Sequence, residues 1–378
     1  MRLLHIYYRT CLLMALSLVL LCGCVKNDPA VPAGRHEILF SSPVMSNVTK
    51  AVPGNLSAYP TGEKFTVFAR YTSGDFENWD DAEPYMEATD AAYDALLNGW
   101  TTKAGSSGLT YYWPNSGKLT FAAYSPSDCT GDMTSWSYGP EGFVFTNFSV
   151  DPEPSQQYDL LYAPRAMNKT ASSMGSSADY DGVELNFRHA LSCIEFRVRN
   201  GSNYEGSEVR IKNIEVLNAY QSGSFAENID VTDESVYDAS PEWTGQSLEY
   251  GTGYKVAASD VDQLVEEEAK ALADARPLLL MPQDFKHPGS NVTIRITYEA
   301  KSAGVWIEQP PALIDLVTGF DSDNNGEGDT YFNDGTNPIT GWESGKRYTY
   351  MITFGRYKIF FTPSVSEWVD LVSPPVYI

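Results

Sequence analysis

The sequence is poor in the residue types that most often carry chemistry. Only four histidines occur in 378 residues, at positions 5, 36, 189 and 287, and their spacing suits no metal site. The motifs of serine hydrolases, zinc proteases, phosphate-binding loops and dinucleotide-binding turns are all missing from the sequence. These absences argue against an enzyme. A surface hydrolase with a pair of carboxylates stays a distant alternative, since acidic residues are common.

Positive charge is scarce as well. The chain has 26 Lys and Arg against 49 Asp and Glu, for a net charge of −23. No basic face is therefore available to displace counterions from phosphates, and nucleic acid is excluded as a partner. A surface this acidic is typical of a soluble, mutually repelling protein.

The N-terminus lacks an apolar run long enough to cross a bilayer, which takes about 20 residues. Residues 11–22 are apolar and follow Arg2 and Arg9, as in the core of a signal peptide. Gly23-Cys24 then matches the lipobox of bacterial lipoproteins, so residues 1–24 are predicted to be a lipoprotein signal peptide and Cys24 the lipidated residue. An ordinary secretory signal is the alternative.

The residues around the lipobox also predict location. Val25, rather than Asp, follows Cys24 and favours the outer membrane, with the protein exposed at the cell surface. Residues 25–35 then form a tether. Of the five cysteines, only Cys129 and Cys193 remain for a disulfide, and the sequence does not decide whether they pair.

Regular helical patterns are few, and the composition favours β structure. Tyr (24), Gly (29) and Pro (22) are plentiful, and hydrophobic residues make up 43% of the chain. The length favours two domains. Strands are predicted at residues 36–44, 64–71, 109–113, 118–124, 142–150, 158–163, 183–198, 208–219, 222–225, 278–281, 291–298, 305–307, 347–354, 358–362 and 375–378. Two short helices are predicted, at residues 89–99 and 261–275.

This pattern predicts a mainly β fold of two β-sandwiches in tandem with minor helices. The N-terminal sandwich takes residues 36–180, with its first strand at 36–44 and a polar loop at 45–55 that offers Lys50-Ala51 for proteolysis. Residues 168–182 are rich in small and polar residues, which indicates a linker. The C-terminal sandwich takes residues 181–378.

An acidic loop near the C-terminus matches part of a calcium-binding loop. Asp321, Asp323, Asn325 and Asp329 offer oxygen ligands at suitable spacing around Gly326, so calcium is the one cofactor that the sequence suggests. Position 12 of that pattern is Phe332, where the bidentate glutamate belongs. An acidic surface loop without metal is the alternative.

Aromatic residues suggest a second binding feature. Tyr111, Tyr112, Trp113, Trp136, Trp243 and Trp306 are candidates for a sugar-stacking platform. Aromatics in strand-rich chains more often fill the core or pair across strands, and that interpretation is favoured here.

Several blocks of the sequence together resemble the fimbrillin family, the subunits and accessory proteins of type V pili in Gram-negative anaerobes. They are YYWP at 111–114, LTFAAYSP at 119–126, DLLYA at 159–163, VELNFRHALS at 183–192, LMPQ at 280–283, WESGKRYTY at 342–350 and VSEW at 365–368. Each block is weak alone, but their order and the lipobox make the resemblance specific. It spans most of the chain after the signal.

The resemblance implies two transthyretin-like β-sandwiches, no enzymatic activity, and export as a lipoprotein to the outer membrane and fimbrium. It also implies cleavage in the loop after the first strand, which would remove residues 36–44 with Ile38 and Phe40 as plugs. The donor strand of another pilus subunit would then fill the groove by β-strand addition. In this chain the donor would come from about residues 367–378, with Val369, Leu371, Val376 and Ile378 as groove-filling side chains.

One residue departs from the family pattern and leaves the role open. Lys50 stands where the stalk members carry Arg, and an Arg-specific protease would not cut there. An uncleaved anchor or a tip subunit is therefore as compatible as a stalk subunit. The alternative function is a non-polymerising surface lipoprotein that binds glycan or host protein.

Overall fold

The structure of this chain is a computed structural model. It describes residues 36–41, 44–45, 57–171, 182–201, 208–230, 240–248, 253–257, 259–273, 275–318, 338–355 and 359–368. Nearly all the regular secondary structure in this part of the chain is β-strand, which confirms the predicted mainly β fold. The number of transthyretin-like domains stays a prediction.

An eight-stranded sheet, the N-terminal sheet, lies first in the chain. Its order is β2-β1-β10-β9-β6-β3-β4-β5. The strands are β1 (Val44–Met45), β2 (Ser57–Ala58), β3 (Phe65–Thr72), β4 (Glu83–Asp94), β5 (Gly99–Thr101), β6 (Lys118–Ser125), β9 (Leu161–Lys169) and β10 (Asn186–His189).

A four-stranded sheet, the middle sheet, joins distant parts of the sequence in the order β14-β13-β8-β7. Its strands are β7 (Ser135–Gly139), β8 (Gly142–Ser149), β13 (Ser222–Ala226) and β14 (Glu242–Ser247). Two 3-10 helices, at Cys129–Asp132 and Pro154–Gln156, flank β7 and β8. Because β8 pairs with β13, this sheet spans the domain boundary predicted at 180/181, and the boundary itself stays a prediction.

Two further sheets, of four and six strands, complete the C-terminal half. One has the order β17-β11-β25-β26, and the other has the order β15-β12-β21-β22 with β16 on β12 and β23 on β21. The strands are β11 (Ser192–Asn200), β12 (Val209–Leu217), β15 (Gly253–Lys255), β16 (Gln263–Leu264), β17 (Leu278–Leu280), β21 (Thr293–Ser302), β22 (Val305–Glu308), β23 (Ala312–Asp315), β25 (Lys346–Phe354) and β26 (Ile359–Glu367). Two small pairs join β18 (Gln283–Asp284) with β24 (Gly341–Trp342) and β19 (Lys286–His287) with β20 (Ser290–Asn291).

The N-terminal sheet is buried on both faces at its centre. Phe121 and Ala123 of β6 enter one hydrophobic core, whereas Ala122 and Tyr124 of the same strand enter another. The first core lies under residues 36–41, and the second runs through the middle sheet into the C-terminal half. Strands buried on both faces read as continuous apolar runs, and the sequence of β6 fits this.

The helix predicted at residues 89–99 is wrong. Residues 83–94 form β4, which pairs with β3 and then with β5, and Asn98 reaches a positive φ of 50° in the turn that follows. Leu96, predicted to lie on the buried helical face, is 96% exposed. Pairing with strands on both sides outweighs the local helical preference of this alanine-containing stretch.

The helix predicted at residues 261–275 is also wrong. Gln263–Leu264 form β16, and the backbone then crosses to β11, where the Lys270 N–H donates to the Val198 carbonyl over 3.0 Å. Leu264 is 48% exposed while the adjacent Val265 is buried. In the predicted helix, Leu264 and Val265 would both lie on the buried face. The described part of the chain contains no α-helix, so the expectation of minor helices holds only for the 3-10 turns.

The strand predicted at residues 109–113 is reduced to one isolated bridge, between Glu37 and Tyr112. These residues bond to residues 36–38, whereas β6 pairs with β3 and β9. The segment assigned to a linker begins inside β9, which continues to Lys169, and residues 172–181 lie outside the described residues. Cys129 and Cys193 are both buried free thiols, so they do not pair.

Candidate functional site

Residues 36–41, here called the first-strand segment, close the N-terminal sheet. Phe40 bridges Trp100 of β5 in antiparallel fashion and Val183, just before β10, in parallel fashion. β5 and β10 lie near opposite ends of the sheet order, so this segment joins the two ends. Within the described part of the chain, a short segment that precedes all the longer strands closes the sheet.

A ladder of six backbone hydrogen bonds holds the first-strand segment on both sides. On one side Ile38 N–H donates to the Tyr111 carbonyl (2.9 Å), and Phe40 exchanges bonds with Trp100 (2.9 and 3.0 Å). The remaining three bonds join Trp113 N–H to the His36 carbonyl, Ser41 N–H to the Val183 carbonyl and Val183 N–H to the Leu39 carbonyl. β1 continues the parallel pairing, with Val44 opposite Asn186 and Met45 opposite Phe187.

The side chains of the segment fill the first core. Ile38 is 1% exposed and Phe40 is fully buried. The Phe40 ring meets Phe65 and Phe121 edge-on, with centroids 5.5 and 5.6 Å apart. Burying two such side chains contributes about 3–6 kcal/mol in total. Chain pairing and side-chain burial therefore both depend on residues 36–41.

The floor of this site is aromatic and closed to water. Tyr59 stacks on Phe187 at 5.2 Å, and its hydroxyl lies 2.6 Å from the Ser125 hydroxyl. Burial raises the pKa of Tyr59 well above its usual range, so the phenol stays neutral. Burial likewise raises the pKa of Glu63 near the rim, and the neighbouring Asp128 raises it further. Such a floor fits aliphatic or aromatic side chains and no charged group.

The C-terminal end of the described chain forms the second part of the site. Among the described strands β26 pairs with β25 alone, in register from Phe354–Ile359 to Lys346–Glu367, and so lies at the edge of its sheet there. Trp368 follows β26 and is fully buried. The predicted donor side chains Val369, Leu371, Val376 and Ile378 lie beyond it, outside the described residues.

Most other site residues named from the sequence also lie outside the described residues. These are Cys24, Lys50, Ala51 and the acidic loop with Asp321, Asp323, Asn325 and Asp329. Among the described residues, no group of three or more His, Cys, Asp or Glu side chains is placed to hold a metal ion. In the same residues no helix is long and apolar enough to cross a membrane.

The aromatic residues considered as a sugar platform are spread over separate places. Trp113 is buried in the first core, and the Trp243 indole N–H donates to the Ala190 carbonyl over 2.8 Å. The Arg210 guanidinium covers Trp306 at 4.7 Å from the ring centroid. These contacts favour the interpretation that the aromatics serve packing.

Sequence reasoning identified Ile38 and Phe40 but missed the two walls between which they lie. Trp100 and Val183 are 83 positions apart in the sequence, and only the curl of the sheet brings both to Phe40. Their one local signal is apolar character at a strand end. Sequence reasoning also missed the contact between His189 and Trp368, whose rings stack with centroids 3.5 Å apart.

The fold and site together define a class: an all-β module in which residues 36–41 complete the protein's own N-terminal sheet. A sequence profile described as fimbrillin-like matches residues 49–368. The chain belongs to the fimbrillin-like family, as the sequence blocks predicted. No curated protein sequence matches the chain.

Among solved structures, one shares the fold of this chain, and two more distant ones are also similar to it. A fimbrial protein from Bacteroides vulgatus is 15% identical with a TM-score of 0.55, and the alignment covers 88% of this chain and all of that one. A candidate cell adhesion protein from Bacteroides uniformis is 14% identical (TM-score 0.46; 89% and 100% covered). The tip fimbrial protein Mfa3 from Porphyromonas gingivalis is 12% identical (TM-score 0.36; 81% and 94% covered).

Family membership indicates a fimbrial protein of the cell surface, a class whose members associate with other pilus subunits. It favours a structural protein over an enzyme.

Proposed function

We propose that this chain is a pilus subunit that assembles by exchange of its first strand after proteolysis. The observation that carries the proposal is the closure of the N-terminal sheet by residues 36–41, which pair on both sides through Phe40. A strand in that position can be replaced only by another strand. The proposal includes no catalytic role.

The energetics support strand replacement. Loss of the first-strand segment would leave the backbone groups of Trp100 and Val183 without their present partners and would expose Phe65 and Phe121 to water. Unpaired strand edges and exposed apolar surface favour pairing with another chain. A donor that restores these contacts regains about 0.5–1.5 kcal/mol per backbone bond in addition to the apolar burial.

The sequence after Trp368 supplies a donor of suitable pattern. Val369 and Leu371 have the same two-residue spacing as Ile38 and Phe40, and Val376 and Ile378 repeat it. Alternate side chains of a strand face one side, so each pair could enter the same two pockets. The donor of one copy would thus fill the groove of the next.

Processing and anchoring complete the proposal. Cleavage between Lys50 and Ala51 would detach the first strand together with the lipidated Cys24, which holds the precursor in the outer membrane. Until that cut, the closed sheet would keep the subunit monomeric. Because Lys50 stands where stalk subunits carry Arg, the protease involved must accept lysine.

The test is limited trypsin treatment of the lipid-free ectodomain, beginning at residue 25, followed by intact mass spectrometry and size-exclusion chromatography. We expect a cut after Lys50 and a ladder of oligomers. A variant ending at Trp368 should be cut equally but stay monomeric, because it lacks the donor. A Lys50→Gln variant should give neither the cut nor the ladder.

A competing peptide identifies the groove as the binding site. A synthetic peptide of residues 36–45, added in excess during cleavage, should suppress the ladder, whereas the same peptide with Phe40→Ala should be much weaker. A cleaved chain that stays a stable monomer would overturn strand exchange. It would favour the alternative, a surface lipoprotein that binds glycan or host protein without polymerising.

A further inference from the structure

Trp368 is held in place by a stack on His189, the last residue of β10 in the N-terminal sheet. Its indole lies flat on the His189 imidazole, with centroids 3.5 Å apart and planes inclined by 13°. Its backbone N–H donates to the Gly345 carbonyl over 2.9 Å. Neither ring is more than 2% exposed. The residue from which the C-terminal ten residues depart is therefore fixed in the core.

His189 is itself oriented by an acid. Its Nδ1 lies 2.8 Å from Oδ1 of Asp159, and both side chains are buried. The other ring nitrogen, Nε2, is buried without a hydrogen-bond partner. The ring orientation thus depends on Asp159 on one side and on Trp368 on its face. We call these three residues the clamp.

One residue of the clamp, His189, lies on the stretch of chain that lines the groove. Residues 183–189 begin with Val183, which bonds to Leu39 and Ser41, and end with His189, which pairs with Leu161 of β9. Between them, Asn186 and Phe187 pair with β1. At about 3.3 Å per residue this stretch spans roughly 20 Å, so one extended segment touches both the first strand and the clamp.

We infer that the clamp couples the state of the groove to Trp368, the residue that precedes the proposed donor sequence. While the first strand is in place, Val183, Asn186 and Phe187 are paired, His189 is held, and Trp368 stays stacked. Loss of the first strand removes these partners, loosens the strand that carries His189, and weakens the hold on Trp368. Trp368 would then leave its stack preferentially in cleaved subunits.

This inference rests on the proposed function for its biological meaning, because the coupling would regulate when a subunit can donate its strand. The coupling itself is a property of the single uncleaved molecule. Linkage requires it to act in both directions with the same free energy. Weakening the first strand must loosen Trp368, and weakening the clamp must loosen the first strand.

The test is hydrogen exchange at single-amide resolution on the uncleaved ectodomain. Phe40→Ala should speed exchange of the Trp368 amide at least about tenfold beyond the change at Val198, whose amide bonds to Lys270 and reports global opening. In the reciprocal experiment, Trp368→Ala should speed exchange at Ile38 and Phe40 beyond the change at Val198. His189→Gln should act in the same direction and serves if Trp368→Ala does not fold.

The chain offers a matched control in a second buried stack. His287 lies on Tyr220 with centroids 4.1 Å apart, away from residues 183–189 in sequence. His287→Gln should not accelerate Ile38 or Phe40 beyond the global change. Equal effects of both histidine variants, or an effect in one direction only, would overturn the coupling. The measurement involves neither cleavage nor assembly. If trypsin treatment gave no ladder of oligomers, the coupling between the groove and Trp368 could therefore still be tested by itself.

Discussion

Glu227 is the most unusual single residue in the described chain. It is 1% exposed, and its Oε2 accepts a hydrogen bond from the Phe143 N–H over 3.0 Å. Gly142 makes room for it, since a Cβ there would lie 2.3 Å from Oε2. Burial raises the pKa of Glu227 to about 7, although the Phe143 N–H and the charges of Arg165 and Arg188 lower it.

This pKa predicts a loss of stability toward alkaline pH. The folded chain binds the Glu227 proton more tightly than the unfolded chain, so its contribution is complete below pH 4.5 and is lost as pH rises through about 7. Glu227→Gln should remove this dependence and raise the free energy of unfolding at pH 8.5 by about 1–3 kcal/mol, with little change at pH 5. Urea denaturation at both pH values measures the difference. Equal effects at the two pH values would contradict the assignment.

A second prediction concerns Phe40. Phe40→Ala should lower the free energy of unfolding by about 3–5 kcal/mol, because it leaves a cavity between Phe65 and Phe121. Ile38→Val, which removes one methylene, should cost about 0.5–1.5 kcal/mol. Phe360→Ala is the control, since that ring is 47% exposed and should matter much less. Chemical denaturation of the uncleaved ectodomain provides the measurement, and a Phe40 effect no larger than that of Phe360 would be inconsistent with a plugged core.

At the scale of elements, β26 shows how a free edge is protected. The Trp368 N–H donates to the Gly345 carbonyl, and the register of β26 on β25 is unbroken. Because hydrogen-bonded and non-hydrogen-bonded pairs alternate in an antiparallel ladder, even-numbered residues of β26 direct their backbone groups to β25 and odd-numbered ones direct them outward. Pro363 is odd-numbered. It therefore places a residue without an N–H in the middle of the outer edge, which opposes unspecific strand pairing.

Replacing this proline should promote association. Pro363→Val keeps an apolar side chain and adds an outward donor, so we expect dimers or larger species of the uncleaved ectodomain at high concentration, detected by light scattering coupled to chromatography. Ser364→Val is the matched control, because it raises β propensity without adding an outward donor. Identical monomeric behaviour of the two variants would show that Pro363 does not protect the edge.

The same elements show where sequence reasoning succeeds and fails. β3, β6, β8, β21 and β25 were predicted within a few residues because alternating or continuous apolar runs mark strands. Residues 89–99 are predicted as a helix because Ala92, Tyr93, Leu96 and Leu97 have the spacing of one helical face, and pairing of β4 with β3 and β5 overrides that preference. Ile38 and Phe40 could be chosen locally. Their partners Trp100 and Val183 could not, since the closure depends on contacts distant in sequence.

At the scale of the whole molecule, the sequence predicts where the chain resides before any cleavage. Cys24→Ala should abolish lipid attachment, so that the precursor moves from the detergent phase to the aqueous phase in a partition experiment, while the fold is unchanged. Cys129→Ala is the control and should stay in the detergent phase. An unaltered partition of the Cys24 variant would contradict the lipoprotein assignment.

The buried thiols have a consequence for a protein of the cell surface. Burial raises the pKa of Cys193 to about 12 and that of Cys129 well above its usual range, so neither forms the reactive thiolate while the chain is folded. Oxidants outside the cell therefore meet no reactive thiolate at Cys129 or Cys193 while the chain is folded. Molecules that open expose both sulfurs and become liable to oxidation and disulfide crosslinking, so oxidation at these two thiols would act selectively on damaged copies.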